Sequence, residues 1–157
     1  MSDTQNINPK QTLEINGEPA PLAEFNQDTF LQSNKKTTTD YRAAFAQAIG
    51  TTGAIAKIAK MAFGIAGETD DQGNPAPPFD NGNLNNVVLT KDITSVTYPV
   101  ETSVQFEAEI EAGDYTGNIN EVALIDEEER TAAKMRLLTS KGIDAESGAV
   151  FRWTIEF

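Results

Sequence analysis

The chain contains no cysteine and no histidine among its 157 residues. The lack of cysteine excludes disulfides, thiolate metal sites and thiol catalysis. The lack of histidine removes the commonest general base, the usual partner of a serine nucleophile and the commonest zinc ligand. Carboxylate and lysine chemistry stay open, but this composition disfavours an enzyme. We therefore expect no catalytic, cofactor-binding or metal-binding residues.

Basic residues are also scarce, since 12 Lys and Arg stand against 24 Asp and Glu, which gives a formal net charge of −12. Such a surface repels phosphates and anionic lipids, so neither nucleic acid nor a membrane is an expected partner. No apolar run approaches the roughly 20 residues of a membrane span. The first ten residues are polar and lack the hydrophobic stretch of a signal peptide. We expect synthesis in a host cytoplasm without classical secretion.

The clearest pattern that is present is a period of two in the second half of the chain. Apolar residues alternate with polar ones in two segments: Val104, Phe106, Ala108, Ile110 and Phe151, Trp153, Ile155, Phe157. Residues 119–125 are apolar on both faces, which is typical of a central strand. The chain is therefore predicted to be mainly β, an antiparallel β-sandwich. The strand at 151–157 has to be paired within the sheets.

One short helix is predicted over residues 40–49. Thr39 or Asp40 can cap its N-terminus and Gly50 can end it. Its apolar residues fall on one face at helical spacing: Tyr41, Phe45, Ala48 and Ile49. Because about ten residues do not hold a helix in water, we expect this face to dock on a core.

Residues 1–36 are predicted to form an extended N-terminal arm in front of a β-sandwich attachment domain at 37–157. The arm carries few apolar residues, without period, and three prolines, so we expect a neighbouring chain to order it. Asn16-Gly17 predicts a tight turn, and the prolines at 19 and 21 limit any hairpin to a short one at a sheet edge. The alternative is that the arm folds back and completes the sandwich.

A long surface loop is predicted at 67–86, which is dense in Gly, Pro, Asn and Asp. Its acidic residues match no calcium-loop spacing, so we interpret them as a hydrophilic loop. Loops and arms are the usual contact segments of a sheet scaffold. The candidate partner-contact residues are Leu13, Ile15, Phe25, Phe30, Leu31, Pro75, Pro77, Pro78 and Phe79.

An acidic strand face is predicted from Glu107, Glu109 and Glu111, which share one side of their strand. The simplest interpretation is a solvated face. One alternative is that a neighbouring chain brings Lys or Arg to this face. The other is that Lys134 and Arg136, on a neighbouring strand of the same fold, form ion pairs with it.

Several segments follow one another in a familiar order across residues 41–157: a helix, Ile-Ala-Lys-Ile-Ala, a Pro/Gly loop leading to residues 83–87, then 93–96, 104–110 and 117–126. The chain resembles the tail-collar-fibre type of phage protein, the N-terminal attachment region of tail fibres and small baseplate-associated tail proteins. The most specific piece is Glu121–Asp126. Ala123 stands where that family usually has Gly, Ile125 where it has an aromatic, and Glu127–Arg130 replaces its Asp-x-Gly turn.

This resemblance implies a structural virion protein of a phage-type tail, located in the tail or baseplate. Its partners would be other tail, baseplate or fibre proteins, and we expect a homo-oligomer, with a trimer favoured. No fibre shaft follows residue 157, so an attachment module on its own, or a fibre cut to its anchor, is expected. The alternatives are a carbohydrate-binding or receptor-binding β-sandwich and a head-decoration or neck protein.

Overall fold

The computed structural model describes residues 10–22, 35–66, 84 and 86–157. These residues form two five-stranded antiparallel sheets and one short helix. Sheet 1 contains, in spatial order, β2 (Glu18–Pro19), β1 (Lys10–Ile15), β10 (Ala149–Glu156), β7 (Ser103–Ile110) and β6 (Ser95–Thr97). Sheet 2 contains β3 (Lys35–Thr37), β9 (Thr131–Ile143), β8 (Gly117–Asp126), β4 (Ile58–Gly64) and β5 (Val87–Asp92).

The two sheets share one hydrophobic core, as the predicted β-sandwich requires. The rings of Phe63 from sheet 2 and Phe151 from sheet 1 lie with their centroids 4.6 Å apart and are both fully buried. Phe106, Trp153 and Leu13 join them from sheet 1. The prediction of a mainly β, antiparallel sandwich is confirmed.

Sheet 1 follows the alternation visible in the sequence. In the middle of β7 and β10 every second residue is buried in the core and the residues between them are more exposed, whereas Val104 and Ile155 near the strand ends are only partly buried. β10 pairs with β7 on one side and with β1 on the other. The prediction that the strand at 151–157 is paired inside the sheets is therefore confirmed over Phe151–Glu156.

Sheet 2 is covered on both faces around its central strand β8. Val122 and Leu124 point into the shared core, whereas Ala123 and Ile125 join Ala62 and Leu84 in a second, smaller apolar cluster. This arrangement explains why the predicted central strand is apolar on both faces over Val122–Ile125. None of the helices in the described part of the chain is long and apolar enough to cross a membrane.

The predicted helix, α1 (Thr39–Gln47), begins one residue earlier than expected and continues into a π-helical turn, Ala48–Thr52. Thr38 is the N-cap. Its hydroxyl oxygen accepts from the Tyr41 N–H at 3.2 Å and donates to the Thr131 carbonyl at 2.6 Å. Gly53 ends the π-helical turn with a left-handed φ of 70°. The cap therefore fixes the helix to β9 through a buried threonine.

A sharp corner between β5 and β6 joins the two sheets. After β5, the Ile93 N–H donates to the Ala59 carbonyl in sheet 2 at 2.9 Å. The next residue, Thr94, donates its N–H to the Glu107 carbonyl in sheet 1 at 2.8 Å. The chain thus passes from the edge of one sheet to the edge of the other within two residues. As a result, β5 and β6 lie on the same side of the sandwich.

Candidate protein-interaction surfaces

Of the nine predicted contact residues, the structure describes Leu13 and Ile15, and the other seven lie outside the described residues. Leu13 is 2% exposed and lies opposite Trp153 in the β1–β10 ladder. Ile15 is partly buried and packs against the same core. The prediction that Leu13 is free for a partner is wrong, because its side chain fills the core of its own domain.

The strand that carries Leu13 is held firmly by sheet 1. β1 pairs with β10 over six residues, and the Asn16-Gly17 turn returns the chain to the edge as β2. The Asn16 N–H donates to the Val150 carbonyl, and the Asn16 Oδ1 accepts from the Val150 N–H, both at 2.8 Å. For residues 10–22 the arm therefore follows the alternative prediction and completes the sandwich. The rest of the predicted arm lies outside the described residues, apart from β3 in sheet 2.

The segment that carries the resemblance, Glu121–Asp126, is buried along its whole length in β8. Glu121 lies opposite Arg136 of β9, and their charged groups approach to 3.4 Å. Both side chains are 2% exposed. Lys134, two residues before Arg136, is also buried. This segment therefore builds the fold and is not a contact surface.

Asp126 organises the turn that joins β8 to β9. Its fully buried carboxylate accepts the N–H groups of Glu128 and Arg130 at 2.9 and 2.8 Å, and the Arg130 Nε at 2.8 Å. The Asp126 carboxylate raises the pKa of the Arg130 guanidinium above its ordinary value. Glu129 has a left-handed φ of 66° in this turn. That is a conformation in which glycine is favoured.

The predicted acidic face lies on the outer side of sheet 1. Glu107 pairs across the strands with Arg152, whose Nε donates to its carboxylate at 2.7 Å, and Arg152 in turn lies opposite Glu14. The prediction that Lys134 and Arg136 could form ion pairs with this face is wrong, because both are buried in sheet 2. In the sequence, Lys134 and Arg136 alternate with apolar residues. This pattern predicts a strand but does not indicate which sheet the strand joins.

Another ion pair stabilises the turn at Gly113. The Asp114 carboxylate accepts from the Lys91 ammonium at 2.7 Å and from the Glu111 N–H at 2.8 Å. The hydrogen bond from Lys91 holds the pKa of Asp114 below its ordinary value, and the same bond raises the pKa of Lys91.

Among the residues that the structure describes, no three acidic side chains come close enough together to hold a metal ion.

An exposed apolar surface lies at the β6 edge of sheet 1, which within the described residues pairs only with β7. We call it the β6 end and define it as Val96, Tyr98 and Val100. Val96 lies opposite Phe106, whose side chain faces the core, and Tyr98 is 72% exposed. The Ser103 N–H donates to the Val100 carbonyl at 3.1 Å and so holds the segment after β6 against the start of β7. Phe157, also exposed, is bonded through its N–H to the Thr102 carbonyl beside it.

A smaller exposed apolar surface lies on α1 and the π-helical turn. Of the face predicted to dock on a core, Ala48 is buried and Tyr41 is partly buried, with its hydroxyl donating to the Ala56 carbonyl at 3.4 Å. Burial raises the pKa of Tyr41. Phe45 and Ile49 remain exposed, so the prediction that the whole face docks is wrong. The π-helical turn widens the spacing after Gln47, and Ile49 then no longer follows the helical face.

The β6 end was not predicted from the sequence, because residues 87–98 stand out there only as rich in residue types that favour strands. One signal was available. Residues 95–100, Ser-Val-Thr-Tyr-Pro-Val, carry no charge, but the uncharged runs at 43–56 and 81–90 are longer, so this signal alone does not identify the β6 end. Comparisons with protein-family models, with curated proteins and with solved structures found no match for this chain.

Proposed function

We propose that this chain is a non-enzymatic structural protein of a phage-type tail, which connects or anchors tail fibres to the baseplate through protein–protein contacts. Two lines of reasoning support the proposal. The order of segments across residues 41–157 resembles that of tail-fibre attachment regions. The composition also lacks cysteine and lacks histidine, the commonest general base.

The observation that carries the proposal is the β6 end. Large exposed apolar side chains that cluster at a sheet edge are typical of surfaces that bind another protein. Val96, Tyr98 and Val100 form such a cluster on an otherwise strongly acidic molecule. A rigid sandwich that offers a free strand edge is suited to permanent attachment, because a partner strand can add main-chain hydrogen bonds to the sheet.

Immunogold electron microscopy tests the proposed location. An antibody against the chain, or against a tag fused to it, is applied to phage-type particles from the organism that encodes it. We expect gold at the junction of the baseplate and the fibres. Gold on the heads would support a head-decoration or neck protein instead, and particles without gold would overturn the virion assignment.

A carbohydrate-binding sandwich is the second candidate, and one observation favours it. Tyr98 presents an exposed aromatic ring, and sugar-binding modules use such rings for stacking. A glycan array, probed with wild type and with Tyr98→Ala, separates the two functions. Tail attachment predicts no glycan signal in either protein. A signal that the wild type gives and Tyr98→Ala loses would favour the carbohydrate-binding function.

A further inference from the structure

The two ends of the described chain lie side by side in sheet 1. In the ladder between β1 and β10, Lys10 lies opposite Glu156, and the pair of Ile15 with Phe151 lies at the far end. The chain therefore enters β1 and leaves β10 at the same end of two neighbouring antiparallel strands. Tension between the two chain ends pulls these strands apart at that end, so it loads the residue pairs of the ladder one after another rather than together.

From this geometry we infer that β1 and β2, which we call the N-terminal hairpin (residues 10–19), form a force-sensitive latch. Tension between the two chain ends opens the hairpin from β10 while the rest of the sandwich stays folded. The inference rests on the proposed attachment function only for the source of the load, because a protein that connects two parts of a tail is pulled between them. The latch gives such a connector a reversible extension.

The main-chain pairing that holds the N-terminal hairpin on sheet 1 is the β1–β10 ladder, because within the described residues β2 pairs only with β1. The first main-chain attachment beyond the hairpin is to sheet 2. The Leu138 N–H donates to the Pro21 carbonyl at 3.0 Å, and Leu22 forms an isolated bridge with Leu137. Opening of the ladder therefore stops at Pro21 and releases residues 10–20.

The same tension also acts on the ladder between β10 and β7, and that ladder is the stronger one. It contains eight residue pairs against six, and the Phe157 N–H adds a bond to the Thr102 carbonyl at 2.9 Å. β10 also contributes Phe151 and Trp153 to the core, both fully buried, whereas β1 contributes one buried apolar side chain, Leu13. The β1–β10 ladder should therefore open first.

Opening of the hairpin leaves the proposed attachment surface in place. The β6 end lies at the other edge of sheet 1, and β10 and β7 separate it from β1. Sheet 2 loses no strand. Residues 10–20 extend by at most about 3.6 Å each, so the chain lengthens by about 40 Å while the β6 end keeps its contacts.

Optical-tweezers pulling on the full chain tests the inference. The chain contains no cysteine, so handles can be attached specifically at Ser2→Cys and at a cysteine added after Phe157. We expect a short step of about 40 Å that reverses when the tension is lowered, and at higher force a long step of roughly 500 Å as residues 21–157 unfold.

A second handle position changes the direction of the load. Glu18 lies in β2, at the end of the ladder opposite to Glu156. A pull between Glu18→Cys and the same C-terminal cysteine runs along the strands and loads the six residue pairs of the β1–β10 ladder together. The short step should then be absent, and the first transition should need a several-fold higher force.

Three substitutions assign the two steps to their strands. Leu13→Ala should lower the force of the short step and leave that of the long step unchanged, because Leu13 has already left the core by then. Val122→Ala, in the core face of β8, should lower the force of the long step. Thr12→Ala, which is exposed on β1, should change neither.

Three results would overturn the inference: a single long step, a short step with both handle positions, or an equal effect of Leu13→Ala on both steps. The comparison of handle positions keeps the core intact, so it decides the matter even where Leu13→Ala does not fold. A chain that lacks the short step and still labels the tail would refute the latch and leave the proposed function standing. A chain that shows the short step and labels no particle would do the reverse.

Discussion

The indole Nε1 of Trp153 donates a hydrogen bond to the Oε1 of Gln11 over 2.8 Å, and both side chains are fully buried. The bond joins residues 142 positions apart and fixes β1 to β10. The same glutamine amide donates to the Thr37 hydroxyl of β3 at 3.4 Å, so Gln11 connects the two sheets. One polar side chain in the core therefore ties the start of the described chain to its last strand.

Replacing Gln11 with Ala should destabilise the protein by about 1–3 kcal/mol, because the indole N–H would be left buried without its acceptor. Urea unfolding monitored by tryptophan fluorescence measures the change. Thr12→Ala is the matched control in the same strand, since Thr12 is exposed and its loss should stay within about 0.5 kcal/mol. Equal stabilities of the two variants would contradict the role assigned to Gln11.

The buried pair of Glu121 and Arg136 predicts strongly non-additive mutations. Removing one charge of a buried pair costs about 3–5 kcal/mol, whereas replacing both with apolar residues is often neutral or stabilising. Glu121→Leu and Arg136→Met should each fall in the costly range, and the double variant should recover most of the loss. A double-mutant cycle from denaturant unfolding measures the coupling. Single losses that simply add would show that the 3.4 Å approach carries no energy.

Gly148 lies where a side chain has no room. A Cβ at this position would stand 1.7 Å from the Ile110 carbonyl oxygen, which belongs to the strand paired with β10. Gly148→Ala should therefore displace the backbone and cost about 1–3 kcal/mol. Gly50→Ala is the control, because nothing lies within 4 Å of its Cβ, and it should be neutral or stabilising by up to about 1 kcal/mol. If both substitutions lowered the melting temperature alike, crowding would not be the cause.

The loop before β10 gives a prediction for acid pH. The Ser147 hydroxyl donates to the Asp144 carboxylate at 2.8 Å, and the Ser147 and Glu146 N–H groups donate to the same oxygen. These bonds hold the pKa of Asp144 below its ordinary value of 3.8. A depressed pKa stabilises the fold above the unfolded value and loses that effect as pH falls through the folded value.

The NMR titration of the Asp144 carboxyl measures this directly. The midpoint in the wild type should lie below 3.8. In Ser147→Ala it should move upward, because the hydrogen bond that lowers the pKa of Asp144 most is lost. The acid limb of thermal stability should be shallower in Asp144→Asn than in the wild type. A midpoint that Ser147→Ala leaves unchanged would show that the hydroxyl does not hold the carboxylate.

Much of the architecture could be predicted from the sequence, because exposure alternates along individual strands. β7 and β10 are visible as alternating runs, and the two apolar faces of residues 119–125 indicate the central position of β8. The Asn16-Gly17 turn likewise predicts the short edge hairpin. In each case one physical signal, side-chain period or turn chemistry, decides the local structure without reference to distant residues.

The parts that were missed depend on which strands become neighbours. Leu13 lies in a polar segment in which only Ile15 accompanies it at strand spacing, and the pairing of β1 with β10 places it in the core. Arg136 follows the alternation of a solvated residue, yet its position opposite Glu121 buries it. The exposure of Tyr98 follows from β6 being an edge strand, which no local pattern reveals. Sheet order depends on the whole chain, so these features could not be predicted from the sequence of one segment at a time.

The most direct test of the account is the identity of the chain that touches the β6 end in an intact particle. A photoreactive group attached at Thr97→Cys, with Thr12→Cys as the control position, is activated in assembled phage-type particles, and cross-linked peptides are identified by mass spectrometry. We predict cross-links from position 97 to fibre or baseplate proteins, and few from position 12. Cross-links to head proteins alone, or an equal pattern from both positions, would contradict the account.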